Sequence, residues 1–169
     1  MPRTDTAKLL VEQAVSQLRA VSTALAALRN EMQSLAASLP EYPVVMGMFG
    51  VGPALGPQLM AEIGDVRRFY SKKALVAFAG IDAPPYQSGQ MEIRSRSISK
   101  RGSSSLRRTL FLVMSVILQR SPADEPVYQF MDRKRAEGKP YRIYMMASAN
   151  KFLRIYYATV KQYLNSLEA

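Results

Sequence analysis

One stretch of the chain gathers residues able to hold phosphate. Tyr86-Gln87-Ser88-Gly89 is followed by six basic residues, and no acidic residue occurs from Ile93 to Ala123. The six are Arg94, Arg96, Lys100, Arg101, Arg107 and Arg108. The Ser and Gly residues among them let the backbone follow a phosphate chain, and a helix N-terminus at Ser103 is a further place where phosphate binds well. The pattern predicts a nucleic-acid contact, and the alternative is a solvated basic loop.

The sequence contains no His and no Cys, which removes several kinds of chemistry. A Ser-His-Asp triad, a thiolate nucleophile, a disulfide framework and an ordinary zinc site each need one or the other. A metal site would need carboxylates, and the closest sets are Glu62 with Asp65 and Asp124 with Glu125. Each set lies beside a turn signal, so we interpret both as helix-end residues. We expect no cofactor in this chain.

The charge balance favours a polyanionic partner. Lys and Arg number 23 against 13 Asp and Glu, a formal charge of +10 over 169 residues. Such a field attracts nucleic acid. The longest apolar run, Leu110 to Leu118, is far shorter than the roughly 20 residues that span a bilayer, and Met1 to Asp5 lacks the apolar core of a signal peptide. We therefore expect a cytoplasmic protein that does not associate with a membrane.

The first forty residues predict a long helix with a heptad seam. Two interleaved apolar series recur every seven residues, namely Val11, Leu18, Leu25, Met32, Leu39 and Ala14, Val21, Leu28, Leu35. Such a stripe leaves water only when another helix covers it. We expect residues 1–40 to form a coiled coil that joins copies of the chain through residues 11–39. The alternative is a long helix that packs on its own domain.

A compact helical domain is expected over residues 41–169. Pro40 and Pro43 end the first helix, and Gly50-Val51-Gly52 then reads as a hairpin before a helix that begins at Pro53 and stops at Gly64. This resembles a helix-hairpin-helix, in which glycines let a phosphate approach the backbone and the second helix directs its N–H groups toward it. The alternative is a plain turn between two core helices.

The remaining segments are helical around one irregular insertion. Ser71 caps a helix from Lys72 to Ala79 that closes at Gly80, and Ile81 to Ser99 reads as a loop with a small ribbon. Further helices are predicted from Leu106 to Gln119 after a cap at Ser103 or Ser104, from Asp124 to about Gly138, and from Pro140 onward. The aromatic residues of the last helix have helical spacing and are interpreted as core. The fold class is mainly α.

At these motifs the chain resembles the transposases of the one-ten group of bacterial insertion sequences. The C-terminal domain of that family reads Gly-x-Gly, Ile-Gly-Asp, Phe-Ala-Gly, Tyr-x-Ser-Gly, Ser-Lys-x-Gly and Leu-Arg-Arg, in this order. The same order is found here in Gly50 to Gly52, Ile63 to Asp65, Phe78 to Gly80, Tyr86 to Gly89, Ser99 to Gly102 and Leu106 to Arg108. The heptad helix corresponds to the family's coiled-coil linker.

The resemblance implies a recombinase in which Ser88 attacks a DNA backbone phosphate. It also implies a guide RNA encoded by the element as a second partner. A phosphoserine would conserve the energy of the broken bond for rejoining. Arg94, Arg96, Lys100 and Arg101 are near enough in sequence to stabilise the developing charge, and no general base is identifiable. Gly50, Val51, Gly52, Arg107 and Arg108 complete the expected DNA contacts.

The chain departs from the family in one large respect. Family members begin with a ribonuclease-H-like domain whose four acidic residues bind magnesium, and that domain lies outside this chain. Cleavage is expected to need a composite site made from both halves, so this polypeptide alone would bind DNA without cutting it. Two other functions remain open: a non-catalytic helix-hairpin-helix scaffold that only holds nucleic acid, and a helical oligomerisation module whose charge serves solubility.

Overall fold

A computed structural model of the chain describes residues 5–83, 87–88, 91–92 and 97–168. Within these ranges the chain is mainly helical, as the sequence predicts. The seven α-helices of this part are α1 (Asp5–Ala37), α2 (Tyr42–Met46), α3 (Leu55–Ile63), α4 (Lys72–Ala79), α5 (Ser104–Arg120), α6 (Pro126–Ala136) and α7 (Tyr141–Leu167). A 3₁₀ turn, Val66–Arg68, follows α3, and two short strands, β1 (Gln87–Ser88) and β2 (Met91–Glu92), precede α5.

Helix α1 leaves its apolar seam uncovered. Ala36, near the C-terminal end, is the buried residue of this 33-residue helix, whereas Leu18 is 66% exposed and Leu28 is 64% exposed. The end of α1 contacts α2 and α3. The alternative in which α1 packs along its own domain is therefore wrong, because that packing would bury the seam.

Among the described helices, α4, α5 and α6 begin with a side-chain cap. The Ser71 hydroxyl accepts a hydrogen bond from Ala74 N at 3.2 Å to begin α4, and the Ser103 hydroxyl accepts one from Leu106 N at 3.1 Å to begin α5. Gly80 ends α4 in the left-handed conformation, with a φ of 66°. These ends agree with the predictions from sequence.

Two helix starts differ from the predictions. The sequence points to Asp124 as the opening residue of α6, but the cap is Glu125, whose Oε2 accepts from Tyr128 N at 2.6 Å. Pro53 was expected to begin α3, yet this helix begins at Leu55. Pro53 lies two residues before Leu55, with Ala54 as the N-cap, so its missing N–H removes no hydrogen bond of the helix.

Helices α5 and α7 organise the core. Helix α5 packs on α3, and α7 packs on α4, α5 and α6. The largest fully buried side chains come from helices α2 to α7 and include Val45, Leu59, Leu75, Ile117, Met131, Met145 and Tyr156. The burial of Tyr156 and Tyr144 confirms that these aromatic residues of the last helix serve the core. This rigid helical layer supports the loops that carry the sequence motifs.

Candidate nucleic-acid interface

The loop between α2 and α3 holds two motif glycines in different surroundings. Gly50 has a φ of +82°, and a Cβ there would stand 2.7 Å from Ile117 Cγ1 on α5. No described atom lies within 4 Å of the place where a Cβ of Gly52 would be. Val51 between them is buried, and its N–H donates to the Met48 carbonyl. Gly50 therefore serves packing, whereas Gly52 offers the open backbone that a phosphate would need.

Two family motifs meet through their backbones at the end of α4. Lys100 N donates to Gly80 O at 3.0 Å, and Ser103 N donates to Phe78 O at 2.7 Å. A Cβ on Gly80 would stand 2.7 Å from Gly102 N. Lys100 itself has a φ of 56°, a conformation that non-glycine residues rarely adopt. We call Phe78, Gly80, Lys100, Gly102 and Ser103 the glycine clasp.

The glycine clasp joins the chain before and after the segment that carries Ser88. This segment, residues 84–96, follows Ala83 and precedes Ser97, and beside it Ser99 N donates to Asp82 O at 2.8 Å. Strand β1 pairs antiparallel with β2, and Ser88 lies opposite Met91. Ser88 is the fifth residue after Ala83, so its Cα can lie at most about 18 Å from that of Ala83. This attachment to the helical domain thus limits how far Ser88 can lie from the glycine clasp.

The predicted DNA-contacting cations have different placements. Lys100, Arg101 and Arg108 are exposed. Arg107 is half-buried, and its Nη1 donates to the Ala79 carbonyl at 3.0 Å, which ties α5 to the end of α4. Arg94, Arg96, Tyr86 and Gly89 lie outside the described residues. Lys100, Arg101 and Arg108 are thus accessible to a ligand, while Arg107 also has a positioning role.

The carboxylates serve helix ends and helix packing. Asp65 accepts from Arg67 N at 2.8 Å and begins the 3₁₀ turn, and the side-chain hydrogen bond from Arg67 lowers the Asp65 pKa. Glu62 Oε1 accepts from Ser105 Oγ at 2.8 Å and from Thr109 Oγ1 at 3.0 Å, so it links α3 to α5. The described ranges contain no cluster of three or more carboxylates that could hold a metal ion. The interpretation of Asp65 and Glu125 as helix-end residues is confirmed.

A cavity of about 830 Å³ opens beside the clasp. Residues on both sides of the Ser88 segment line it, together with parts of α5, α6 and α7. Its lining is mainly apolar, with three cations, Lys100, Arg142 and Arg154. The α7 contribution is a single stripe with helical spacing, namely Ile143, Met146, Ala147, Asn150 and Arg154. This cavity was not predicted from the sequence, although the helical spacing of these five residues indicates that they share one face of α7.

Further cations surround one aromatic wall of the cavity. The Phe130 ring centroid lies 5.2 Å from Lys151 Nζ, 5.4 Å from Arg133 Cζ and 5.7 Å from Lys134 Nζ. These separations are within the range of cation–π attraction. Lys134 also pairs with Glu137, which lowers the pKa of that carboxyl. The cavity is therefore embedded in a positively charged surface.

Comparison with known families identifies the motif-bearing part of the chain. The sequence profile described as "Transposase IS116/IS110/IS902 family" matches residues 42–129, just over half of the chain. The chain belongs to this transposase family. The matched segment includes the α2–α3 loop, the glycine clasp, the Ser88 segment and α5. Helix α1 and α7 lie outside the match, so the profile covers only part of the cavity wall.

Individual relatives agree with this family. The chain is 31% identical over 134 residues to a "Pilin gene-inverting protein" of Moraxella bovis, covering 79% of this chain and 38% of the relative. It is 28% identical over 121 residues to an "Insertion element IS900 uncharacterized 42 kDa protein" of Mycobacterium paratuberculosis, covering 71% and 29%. A "Mini-circle putative transposase for IS117" of Streptomyces coelicolor is 32% identical over 111 residues, covering 65% and 26%.

The chain spans less than two fifths of the length of these curated relatives. The family and its relatives support a transposase or recombinase role. Within the described ranges no helix combines the length and apolarity needed to cross a bilayer.

Proposed function

We propose that this chain is the DNA-binding, serine-bearing part of a transposase, and that Ser88 is its nucleophile. The observation that carries the proposal is the glycine clasp, which fixes both ends of the Ser88 segment beside exposed Lys100 and Arg101. A nucleophile must meet its phosphate in a defined geometry, so a mobile base would lose much of the rate. Membership of a transposase family supports the same role.

The proposed reaction is a phosphoryl transfer. Ser88 Oγ forms a bond to phosphorus and loses its proton, the bond from phosphorus to one sugar oxygen breaks, and that oxygen takes up a proton. The phosphoserine conserves the phosphodiester energy, so reversal with a new DNA end rejoins the strand without ATP. Arg94, Arg96, Lys100 and Arg101 are proposed to stabilise the charge on the phosphate as it develops.

Cleavage is proposed to need parts that lie outside this chain. A ribonuclease-H-like domain with bound magnesium would complete the site, and an RNA encoded by the element would select the DNA. The short coverage of the curated relatives leaves room for such a domain. We therefore expect the 169-residue chain to bind duplex DNA with little sequence preference and without cutting it.

A second candidate is a scaffold that only binds nucleic acid. The open backbone at Gly52, just before α3, favours it, because such a loop can hold phosphate without any catalytic serine. Under this alternative Ser88 is an ordinary loop residue. The two candidates make different predictions for a single substitution.

The deciding experiment uses a full-length relative supplied with its metal domain and RNA. Changing its equivalent of Ser88 to Ala should leave folding and DNA affinity nearly intact while abolishing strand cleavage and the covalent protein–DNA adduct. The matched control changes the equivalent of Ser104, an exposed residue, to Ala. This variant should keep both strand cleavage and the covalent adduct. Labelled DNA on a denaturing gel reports the adduct, and peptide mass spectrometry maps it. Recombination at the normal rate, or an adduct on the equivalent of Tyr86, would show that Ser88 is not the nucleophile.

A further inference from the structure

We propose that the cavity beside the glycine clasp receives one unpaired nucleotide of the bound DNA. The base would pack against Phe111 and Phe130, and its phosphate would lie near Arg142 and Arg154. This inference rests on the proposed DNA-binding function and adds the form of DNA that the chain recognises. Four properties of the cavity carry it: size, lining, charge and position.

The size and lining suit a nucleobase. The cavity of about 830 Å³ lies within the usual range for small-ligand sites, roughly 300–1,000 Å³. Phe111 and Phe130 provide aromatic surface, and Ile143 and Met146 provide aliphatic surface. Sites for extruded bases use such apolar and aromatic walls, because every base has a flat π-face. Asn150, which also lines the cavity, carries both a donor and an acceptor for the edge of a base.

The charge indicates an anionic occupant. Lys100, Arg142 and Arg154 line the cavity, and no Asp or Glu is among its described lining residues. Arg133 and Lys151 extend the positive surface around Phe130. All three cations are exposed, so they are accessible to the phosphate of a nucleotide, whereas a purely apolar partner would make no use of them. A nucleotide matches both features, because its base can contact the apolar lining while its phosphate lies near the cations.

The cavity lies next to the segment that carries the proposed nucleophile. Ala83 and Ser97, which flank the Ser88 segment, both line the cavity. The reach of about 18 Å from Ala83 to Ser88 corresponds to about five base steps of B-DNA at about 3.4 Å each. The Cα of Ser88 can therefore lie at most about five base steps from the Ala83 edge of the cavity. An unpaired base at that distance would anchor the duplex while Ser88 engages the backbone.

The test compares three short duplexes of the same sequence by fluorescence anisotropy with the 169-residue chain. One duplex is fully paired, one has a single unpaired adenine, and one has an abasic site at the same bulge. Stacking of one base predicts about tenfold tighter binding of the adenine bulge than of the paired duplex. The abasic bulge should lose most of this gain, because it keeps the bend and the phosphates but has no base.

A cavity-filling variant and its control locate the base. Ala147→Phe places a large side chain in the cavity and should abolish the preference for the adenine bulge without changing affinity for the paired duplex. Ala158→Phe makes the same change on the exposed face of α7 and should keep the preference. Circular dichroism melting checks both folds. If Ala147→Phe does not fold, Arg142→Gln with Arg154→Gln provides the second test and should reduce bulge binding more than paired-duplex binding.

The outcomes separate this inference from the proposed function. Equal affinity for all three duplexes, with strong salt dependence, overturns the unpaired-nucleotide site and leaves DNA binding intact. A bulge preference that survives Ala147→Phe also overturns it, because the base then binds elsewhere. A preference for the same bulge in RNA but not in DNA would assign the cavity to RNA and overturn the proposal. Failure to bind any duplex overturns the proposed function and the inference together.

Discussion

Gly102 lies so close to Phe78 that a Cβ atom on Gly102 would overlap the Phe78 carbonyl oxygen. The same Cβ would stand 2.6 Å from Gly80 N. Both obstacles are backbone atoms, which cannot turn aside as a flexible side chain does. The two glycines, one from Phe-Ala-Gly and one from Ser-Lys-Arg-Gly, thus allow two motifs to pack backbone against backbone.

Gly102→Ala should destabilise the protein markedly. Relief of the overlap requires α4 and the loop before α5 to separate, which breaks the hydrogen bonds of the clasp and costs at least about 2 kcal/mol. Urea unfolding followed by circular dichroism measures this cost. Gly52→Ala is the matched control, since no described atom lies within 4 Å of the added carbon. It should change stability by less than about 0.5 kcal/mol. Equal stability of the two variants would contradict the clasp geometry.

Thr109→Val should destabilise the contact between α3 and α5. The Thr109 hydroxyl is fully buried and donates to Glu62 Oε1 at 3.0 Å, while Glu62 Oε2 is buried with no partner among the described residues. Valine matches the shape of threonine but removes the donor, so the carboxylate loses a hydrogen bond that we expect to be worth about 1–2 kcal/mol. The measurement is the urea midpoint at neutral pH.

The matched control for this change is Thr159→Val, at a half-buried threonine of α7. It exchanges the same groups on a helix without removing a donor to Glu62, and should shift stability by about 0.5 kcal/mol or less. A Thr109→Val protein as stable as wild type would mean that the Glu62 carboxylate needs no hydrogen bond from Thr109.

Local chemistry made much of this fold predictable. Ser71, Gly80 and Ser103 define helix ends through their own side chains or backbone, and the structure places all three where the sequence indicated. Asp124 and Glu125 show the limit of such reasoning. Two adjacent carboxylates are both able to cap α6, and local sequence does not distinguish them, whereas the structure has Glu125 as the cap.

Features that depend on distant contacts could not be predicted in this way. Gly50 belongs to a Gly-x-Gly that suggested phosphate binding, yet its missing Cβ makes room for Ile117, 67 positions later. The cavity likewise combines residues that flank the Ser88 segment with α7, more than 40 positions away. Such contacts are fixed by the packing of α5 and α7, which a single sequence does not specify.

Helix α1 should join two copies of the chain. Its seam is exposed along the described helix, and eight of the exposed large apolar residues of α1 occupy positions from Val11 to Leu35. Burial against a second helix would remove this surface from water. We expect an oligomer, most simply a dimer, at micromolar concentration by light scattering. Leu18→Lys with Leu25→Lys should give a folded monomer, because both seam positions then carry charge.

The matched control places the same charges on the opposite face of α1. Ser16→Lys with Thr23→Lys adds two lysines seven residues apart but outside the two apolar series, so the oligomer should persist. A folded monomer for the unmodified chain would contradict the predicted assembly and leave the seam to another partner.

Reversing the charge at Arg94, Arg96 and Lys100 together should weaken binding to duplex DNA. Each phosphate contact releases counterions, so each lost contact should reduce the slope of log affinity against log salt by about 0.9. Fluorescence anisotropy over a series of salt concentrations measures both the affinity and the slope.

The matched control reverses three exposed cations of α1, Lys8, Arg19 and Arg29, and lowers the net charge by the same amount. If only the overall positive field mattered, the two variants would lose affinity equally. If the basic loop contacts phosphate, only the first variant has the flatter slope, and an unchanged slope there would move the interface elsewhere on the molecule.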